Sequence, residues 1–490
     1  MTGLLIAGTS SDAGKSLVVT GLCRAYARRE LKVAPFKAQN MSNNSAVCAD
    51  GSEIGRAQYL QAQAAGVEPG SVHNPVLLKP GTDRRSFVVV RGRPAGTLEA
   101  GEYATGRTRL AEAAYAAYEE LAAASDLVLV EGAGSPAEIN LRERDYVNLG
   151  LARRFGLPVV VVGDIDRGGV LASLYGTWAL LDDADRALLA GYVINKFRGE
   201  LGVLEPGLAE ITRRTGLPCF GVLPWLDGVW LDGEDALDLA RWSRRPDADA
   251  TADRGRLSVA VVRFPRISNA TDVDALAHTP DVDVVVTADA GVAASADLLV
   301  LPGTRATVHD LGWLRDRGLA TVVAQRHAAG RPTLGICGGY EMLAETIDDP
   351  VESGAGAVAG LGVLPVTVAF ADEKITGRPT HRWAGLAVTG YEIHHGVCTP
   401  REGARVEPFL DGCRVGPTFG TMLHGALEDD AFRAAFLSEV ARTTGSGWRP
   451  DPDAPSYAAS REAMIDTLAD AVEAHLDLDR LLALAREGVR

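Results

Sequence analysis

At 490 residues the chain has room for roughly three domains of about 150 residues, or for two larger ones, and for a sizeable core. Lys and Arg total 49 against 64 Asp and Glu, a net charge of −15, with 23% charged and 47% hydrophobic residues; this globular balance excludes a disordered or collagen-like chain. The acidic total argues against a protein that coats nucleic acid or an anionic membrane, because such binding rests on clustered Lys and Arg. No apolar run approaches the roughly 20 residues needed to cross a bilayer, and no basic segment precedes the apolar run at Leu4, so a cytoplasmic location is expected. Cys23, Cys48, Cys219, Cys337, Cys398 and Cys413 form no CxxC or CxxxC pair, so neither a zinc site nor a disulfide framework is indicated.

From the N-terminus to about residue 240, the apolar runs GLLIAG, KVAPF, DLVLVEGAG, LPVVVVGD, GYVINKF and FGVLPW alternate with helical patterns. Buried parallel strands read this way, and the alternation predicts an α/β, doubly wound parallel sheet with its site at the carboxyl ends of the strands. In GLLIAGTSSDAGKSLVVTGL, a Gly-rich loop stands between a strand and a helix starting near Lys15. Gly8 and Gly14 let the backbone curl so that successive N–H groups face one anion, and the helix N-terminus adds positive potential. Gly8, Thr9, Ser10, Asp12, Ala13, Gly14, Lys15 and Ser16 are therefore candidate nucleotide-binding residues, with Lys15 on the outer phosphates and Ser16 on Mg²⁺.

Lys79, Arg84, Arg85, Arg91 and Arg93 gather within fifteen residues; they form either a solvated basic face or a seat for a polyanionic substrate. Further on, Glu131, Asp164 and Asp166 end strands at the same sheet edge, where a Mg²⁺ bridging phosphates needs one or two carboxylates. The polar stretch RWSRRPDADATADRGR, residues 241–256, reads as an interdomain linker.

A second α/β alternation occupies residues 257–450, with LSVAVVRF, ADLLVLPGT, RPTLGICGG, GLGVLPVTVAF and FGTMLHG as strands. RPTLGICGGYEMLAETI sets Cys337 on a Gly-flanked turn between a strand and a helix, the arrangement of a nucleophile elbow with sulfur in place of oxygen. The helix N-terminus favours the thiolate, and N–H groups after Cys337 and near Gly303 could hold an oxyanion. His424 in FGTMLHGALED is the candidate base, while His394 and His395 in GYEIHHG are expected to shape the site. Residues 430–443 and 459–486 read as amphipathic helices, and the tail, 451–490, is expected to pack on the second domain.

These motifs resemble known families. The five residues between Gly8 and Gly14, one more than the common phosphate loop has, are similar to the loop of dethiobiotin synthetase and its relatives, which use ATP to activate a carboxylate. That resemblance implies Glu131, in VEGAG, as the Mg²⁺ carboxylate and Asn195, in VINKF, as the base-recognising residue. LGICGGYEML with a downstream GTxxHG resembles the class I glutamine amidotransferase domain, in which the cysteine releases ammonia from glutamine. Ala426 stands where most of that class have the His-orienting Glu, which leaves open whether Glu428 or any acid orients His424.

In their order, GTSSDAGKS, APFKAQNMSNNS, NPVLLKP, GDIDRGGV, INKFRGE, RISNATDVDAL, LPGTRATVHDL and GYEIHHG resemble the cobyric acid synthase family. The resemblance implies ATP, Mg²⁺ and L-glutamine acting on the b, d, e and g carboxylates of adenosylcobyrinic acid a,c-diamide, with no nucleic-acid or membrane partner. The sibling cobyrinic acid a,c-diamide synthase is similar, but its acidic run after the second strand is replaced by Lys37-Ala38-Gln39-Asn40-Met41-Ser42-Asn43-Asn44; Asp50 or Glu53 could supply the missing acids. A third reading, a partitioning-type P-loop switch ATPase, would carry a lysine early in the loop, and residues 8–14 have none. The chemistry is coherent on physical grounds: a carboxylate has no leaving group for ammonia until a phosphoryl group is transferred to it, and the ammonia must be made nearby.

Overall fold

The computed structural model describes residues 2–81, 85–99, 107–230 and 255–489; Arg84 and nearly all of the expected linker fall outside them. The N-terminal half is built on six parallel strands in the order Cys219–Pro224, Leu189–Phe197, Val159–Asp164, Gly3–Gly8, Leu127–Glu131, Val33–Phe36. From Gly3–Gly8 the chain first runs to the edge strand Val33–Phe36, returns through Leu127–Glu131 between the two, and then builds outward on the other side, so the loop after Gly8 lies where the strand order reverses. The inner strands are Val- and Leu-rich because helices cover both faces, and Leu4, Leu5, Val130, Val160 and Val162 are fully buried. Beside this sheet lies a smaller one of Gln39–Met41, Val76–Pro80, Arg85–Val90 and Arg93–Glu99.

The second half has seven strands in the order Val282–Thr287, Leu257–Val262, Leu298–Leu301, Thr333–Ile336, Thr418–Thr421, Gly412–Val415, Glu407–Phe409. The first five are parallel and the last two antiparallel. Leu298–Leu301, Thr333–Ile336 and Thr418–Thr421 are neighbours, so the residues following all three meet at one edge. The run GLGVLPVTVAF does not join this sheet; Val366–Gly377 pairs instead with Glu392–Pro400 and Thr346–Asp349 in a separate four-stranded sheet.

The tail departs from its expected place. Helix Asp430–Thr444 packs in the second-domain core through Phe432, Phe436 and Val440, and Trp448 ends that core by donating to the Pro280 carbonyl at 3.0 Å. Beyond it the chain crosses back, and helix Tyr457–His475 lies on helix Lys15–Arg28 of the first half, burying Ile465, Leu468 and Val472 against Leu4, Val19 and Leu22. An amphipathic helix shows that it needs a partner face without showing which one, and here the free face belonged to the helix after the phosphate loop. Gly21 permits the close approach: a Cβ there would stand 2.6 Å from Val472 Cγ2 and 2.9 Å from the Leu468 carbonyl oxygen. Burial contributes about 1.5–3 kcal/mol for each such side chain, which outweighs the rim ion pairs Arg24–Glu462 and Arg28–Asp470. The helix is also shorter than expected, because Leu476 pairs with Gly221 and Asp477 caps a new helix, Leu478–Glu487.

Candidate active sites

Two sites are built at the carboxyl ends of the two sheets. In the first, strand Gly3–Gly8 leads into a loop where Asp12 (φ 56°) and Gly14 (φ 99°) are left-handed, and helix Lys15–Arg28 begins at once. Thr9 N–H donates to the Val162 carbonyl at 2.9 Å, which fixes the start of the loop. Lys15 folds back across it, its Nζ donating to the carbonyls of Ser10 at 3.0 Å and Gly134 at 3.2 Å. A Cβ on Gly8 would stand 3.0 Å from that Nζ. Asn195 does not point outward as a base reader would: it is buried, donates to the Ala13 carbonyl at 3.1 Å and fills the space a Cβ on Gly14 would need. It braces the loop.

Glu131, wholly buried, is the hub of this site. Ser16 Oγ and Lys37 Nζ each donate to Oε1 at 2.9 Å, and Gln61 Nε2 donates to Oε2 at 2.5 Å. Burial alone would raise its pKa, but the ammonium of Lys37, the Gln61 hydrogen bond and Lys15 outweigh it and hold the group below the usual carboxylate range. An ionised carboxylate touching a serine hydroxyl is an oxygen donor pair that suits Mg²⁺, an ion that takes one or two carboxylates and otherwise phosphates and water. Among the described residues no group of three or more His, Cys, Asp or Glu could cage a metal on its own.

The other acids are committed elsewhere. Asp164 accepts from Lys196 Nζ at 2.7 Å, and Asp166 pairs with Arg198 at 3.5 Å. Glu53 is buried between Lys79 and Lys374, and Asp50 accepts from the Ser52 N–H. The basic cluster divides in the same way: Lys79 is buried on Glu53, Arg91 pairs with Glu120, and Arg85 lies 5.2 Å over the Phe87 ring. The cations that do line the cleft over the phosphate loop are Lys15, Lys37 and, from the second half, Arg266. At about 380 Å³ this cleft is within the range of small-ligand pockets.

In the second site Cys337 follows strand Thr333–Ile336 with φ 50° and ψ −115°, a strained non-glycine conformation that helix Gly338–Leu343 takes over directly. Its N–H donates to the Thr421 carbonyl at 2.8 Å. Gly339 is obligatory here, since a Cβ would lie 1.9 Å from the Leu301 carbonyl oxygen. His424 is buried, with Tyr391 stacked on it at 5.3 Å between ring centroids, and Gly303 passes close by, a Cβ there standing 3.1 Å from His424 Cε1. His424 Nδ1 is 2.6 Å from Asp272 Oδ2, while Asp272 Oδ1 accepts from the Gly425 N–H at 2.8 Å. That contact orients the ring and leaves Nε2 for Cys337. Burial would lower the His424 pKa, but Asp272 and Cys337 reverse the effect and push it up to about 10, so the ring is cationic beside the sulfur.

Burial shifts three further groups of the pocket, His394, His395 and Glu341, towards their neutral forms. His394, pushed down to about 4 by burial, is hydrogen-bonded through Nδ1 to the Gly396 carbonyl at 2.7 Å, and His395 lies 2.9 Å from that of Ala371. Glu341, pushed up to about 8 by burial, accepts from Thr307 Oγ1 at 2.7 Å.

Both halves match known family models. Residues 4–237 match the CobQ/CobB/MinD/ParA nucleotide binding domain, and residues 258–432 match the CobB/CobQ-like glutamine amidotransferase domain. The cobyric acid synthase of Cutibacterium acnes is 66% identical over 99% of this chain and 100% of its own. Those of Mycolicibacterium gilvum and Mycobacterium tuberculosis are 56% and 54% identical over 100% of this chain and 97% of theirs. The chain belongs to the cobyric acid synthase family.

In this member of the cobyric acid synthase family, two functional side chains escaped the sequence reading. Asp272 sits in the RISNATDVDAL block, 152 residues from the histidine it touches, and no local spacing connects them. Lys37 carried a fainter signal, a lysine directly after the apolar strand Val33–Phe36. Glu428 is not beside the ring; it pairs with Arg56 and Arg461. Asp272→Asn is therefore expected to lower glutaminase kcat/KM by on the order of 10³-fold. With the carboxylate gone, burial dominates and the His424 pKa falls, so the alkaline limb of the pH–rate profile moves to lower pH. Steady-state rates across pH check both, and an unmoved limb would show Asp272 to be merely structural.

Proposed function

We propose that the chain carries out ATP- and glutamine-dependent amidation of the b, d, e and g carboxylates of adenosylcobyrinic acid a,c-diamide, giving adenosylcobyric acid in cobalamin biosynthesis. The observation that carries this reading is one chain, matching cobyric acid synthases along its whole length, in which a phosphate loop faces an ionised carboxylate and a Cys–His–Asp arrangement stands in the adjoining domain. We place the protein in the cytoplasm, where thiols stay reduced; all six cysteines are free, and among the described residues no helix is long and apolar enough to cross a membrane.

In the thiol site, Cys337 Sγ attacks the side-chain amide carbon of glutamine. His424, cationic and held by Asp272, gives its proton to the departing nitrogen, and ammonia leaves a thioester. The ring then takes a proton from water as that water attacks the thioester, and glutamate is released. With the Cys337 N–H already given to Thr421, the Gly338 N–H and those of the Gly303–Thr304 stretch packed against Gly338 are the donors for the carbonyl oxygen as it gains charge.

In the nucleotide site, the loop N–H groups after Thr9, through Ser16, and the Lys15 ammonium bind the triphosphate of ATP. Lys37 and Arg266 orient the acceptor carboxylate for attack on the γ-phosphorus, which yields an acyl phosphate and ADP. When bound, Mg²⁺ neutralises phosphate charge, and Ser16 Oγ with Glu131 would hold it. Ammonia adds to the acyl phosphate, and phosphate departs as the amide forms.

Mass spectrometry of the product made from adenosylcobyrinic acid a,c-diamide tests the assignment. Product from amide-¹⁵N glutamine should be heavier than product from ordinary glutamine by one mass unit per new amide, four in all. No product from this substrate, with two amides added to unamidated cobyrinic acid, would reassign the chain to the a,c-diamide synthase.

A further inference from the structure

The cavity at Cys337 and the cleft over the phosphate loop share one stretch of chain in their walls. Within residues 265–270, Arg266, Ile267 and Ala270 line the cleft, whereas Ser268 and Asn269 line the thiol cavity. The first half meets this segment with residues 40–44 on the cleft side and Lys79 on the thiol side. A reciprocal clasp joins the two: Asn44 Oδ1 accepts from the Ala270 N–H at 3.1 Å, and Asn269 Oδ1 accepts from the Ser45 N–H at 3.0 Å. Both asparagines are buried, and Asn269 (φ 49°) is left-handed, a conformation that Asn tolerates better than most residues.

On the thiol side of the clasp, Glu53 is bound at 2.6 Å by both Lys79 and Lys374, one from each half, and Lys79 also donates to Ser45 Oγ at 3.0 Å. Two ammonium groups on one carboxylate leave a net positive charge in the cavity wall. Such a wall repels ammonium and admits neutral ammonia, and the side-chain amides beyond it can both donate to ammonia and accept from it. The clasp stands among residues that line one cavity or the other, and no charged group takes part in it.

Resting on the amidation reading above, we propose that the Asn44–Asn269 clasp is the passage by which ammonia moves from the Cys337 cavity to the phosphate-loop cleft, with the Lys79–Glu53–Lys374 group excluding ammonium at its entrance. Ammonia that escaped to bulk water at neutral pH would be protonated and lost as a nucleophile, so the passage keeps glutamine hydrolysis and amidation in step.

The test uses the full chain with adenosylcobyrinic acid a,c-diamide, ATP, Mg²⁺ and amide-¹⁵N glutamine in competition with excess unlabelled ammonium chloride. Unaltered protein should give product rich in ¹⁵N and about one glutamate per amide. Asn44→Leu, which places a branched apolar group across the wall, should lower glutamine-supported amidation about ten-fold further than it lowers ammonium-supported amidation, with glutaminase within about two-fold. Glutamate released per amide should rise correspondingly. Asn269→Gly keeps the left-handed backbone but opens the clasp, and its product should lose ¹⁵N towards the bulk ratio. Native isotope content and native stoichiometry in both variants would overturn the passage, as would equal loss with both nitrogen sources in Asn44→Leu, which would place Asn44 in the amidation site. Failure of the unaltered protein to amidate from either source would overturn the activity itself.

Discussion

Cys337→Ala should abolish amidation supported by glutamine, a fall of about 10⁴-fold or more, and leave amidation supported by ammonium chloride within about two-fold. The asymmetry follows from the architecture. Cys337 is the only nucleophile on the turn between Thr333–Ile336 and Gly338–Leu343, and its backbone is already fixed by the hydrogen bond from its N–H to Thr421 and by the close approach of Gly339 to Leu301. Removing one sulfur atom therefore leaves the turn and the sheet intact. The phosphate loop, Glu131 and Lys37 belong to the other half and make no contact that depends on the thiol. Glutamate release and corrin amidation, followed separately with each nitrogen source, check the prediction; loss of both would mean that the two sites are not chemically independent.

The elements that could be read from the sequence are those whose signal lies within some ten residues. The phosphate loop and the cysteine turn are each a strand, a glycine-permitted bend and a helix start in one short run, and the apolar runs of both parallel sheets are buried strands regardless of their neighbours. What escaped depends on contacts between distant segments. Asp272 reaches His424 only because the loop after Leu257–Val262 folds over the edge where Thr418–Thr421 ends. Lys79 reads in sequence as one of a basic cluster, yet its ammonium is paired with Glu53, whose other oxygen is bound by Lys374 from the other half of the chain. Asn195 has the right sequence position for a base reader, yet packing against Gly14 turns its amide into the loop. The tail helix shows the same limit at larger scale, since its apolar face was legible and the helix it covers was not.

Lys15→Ala, by contrast, should remove amidation with either nitrogen source, by on the order of 10³-fold, while glutaminase activity is retained. Lys15 Nζ is held over the loop by the carbonyls of Ser10 and Gly134, and its charge also helps keep Glu131 ionised. Alanine thus takes away the cation nearest the transferred phosphoryl group and weakens the carboxylate that would hold Mg²⁺ beside it. Neither loss can be made good by supplying ammonia, because the acyl phosphate that ammonia attacks is never formed. The helix itself should survive, since alanine is a better helix former than lysine and the packing of Leu22 and Val19 against the tail helix does not involve Lys15. Unaltered thermal unfolding with abolished ADP release would assign the loss to phosphoryl transfer, whereas retained synthesis would show that the phosphates bind elsewhere.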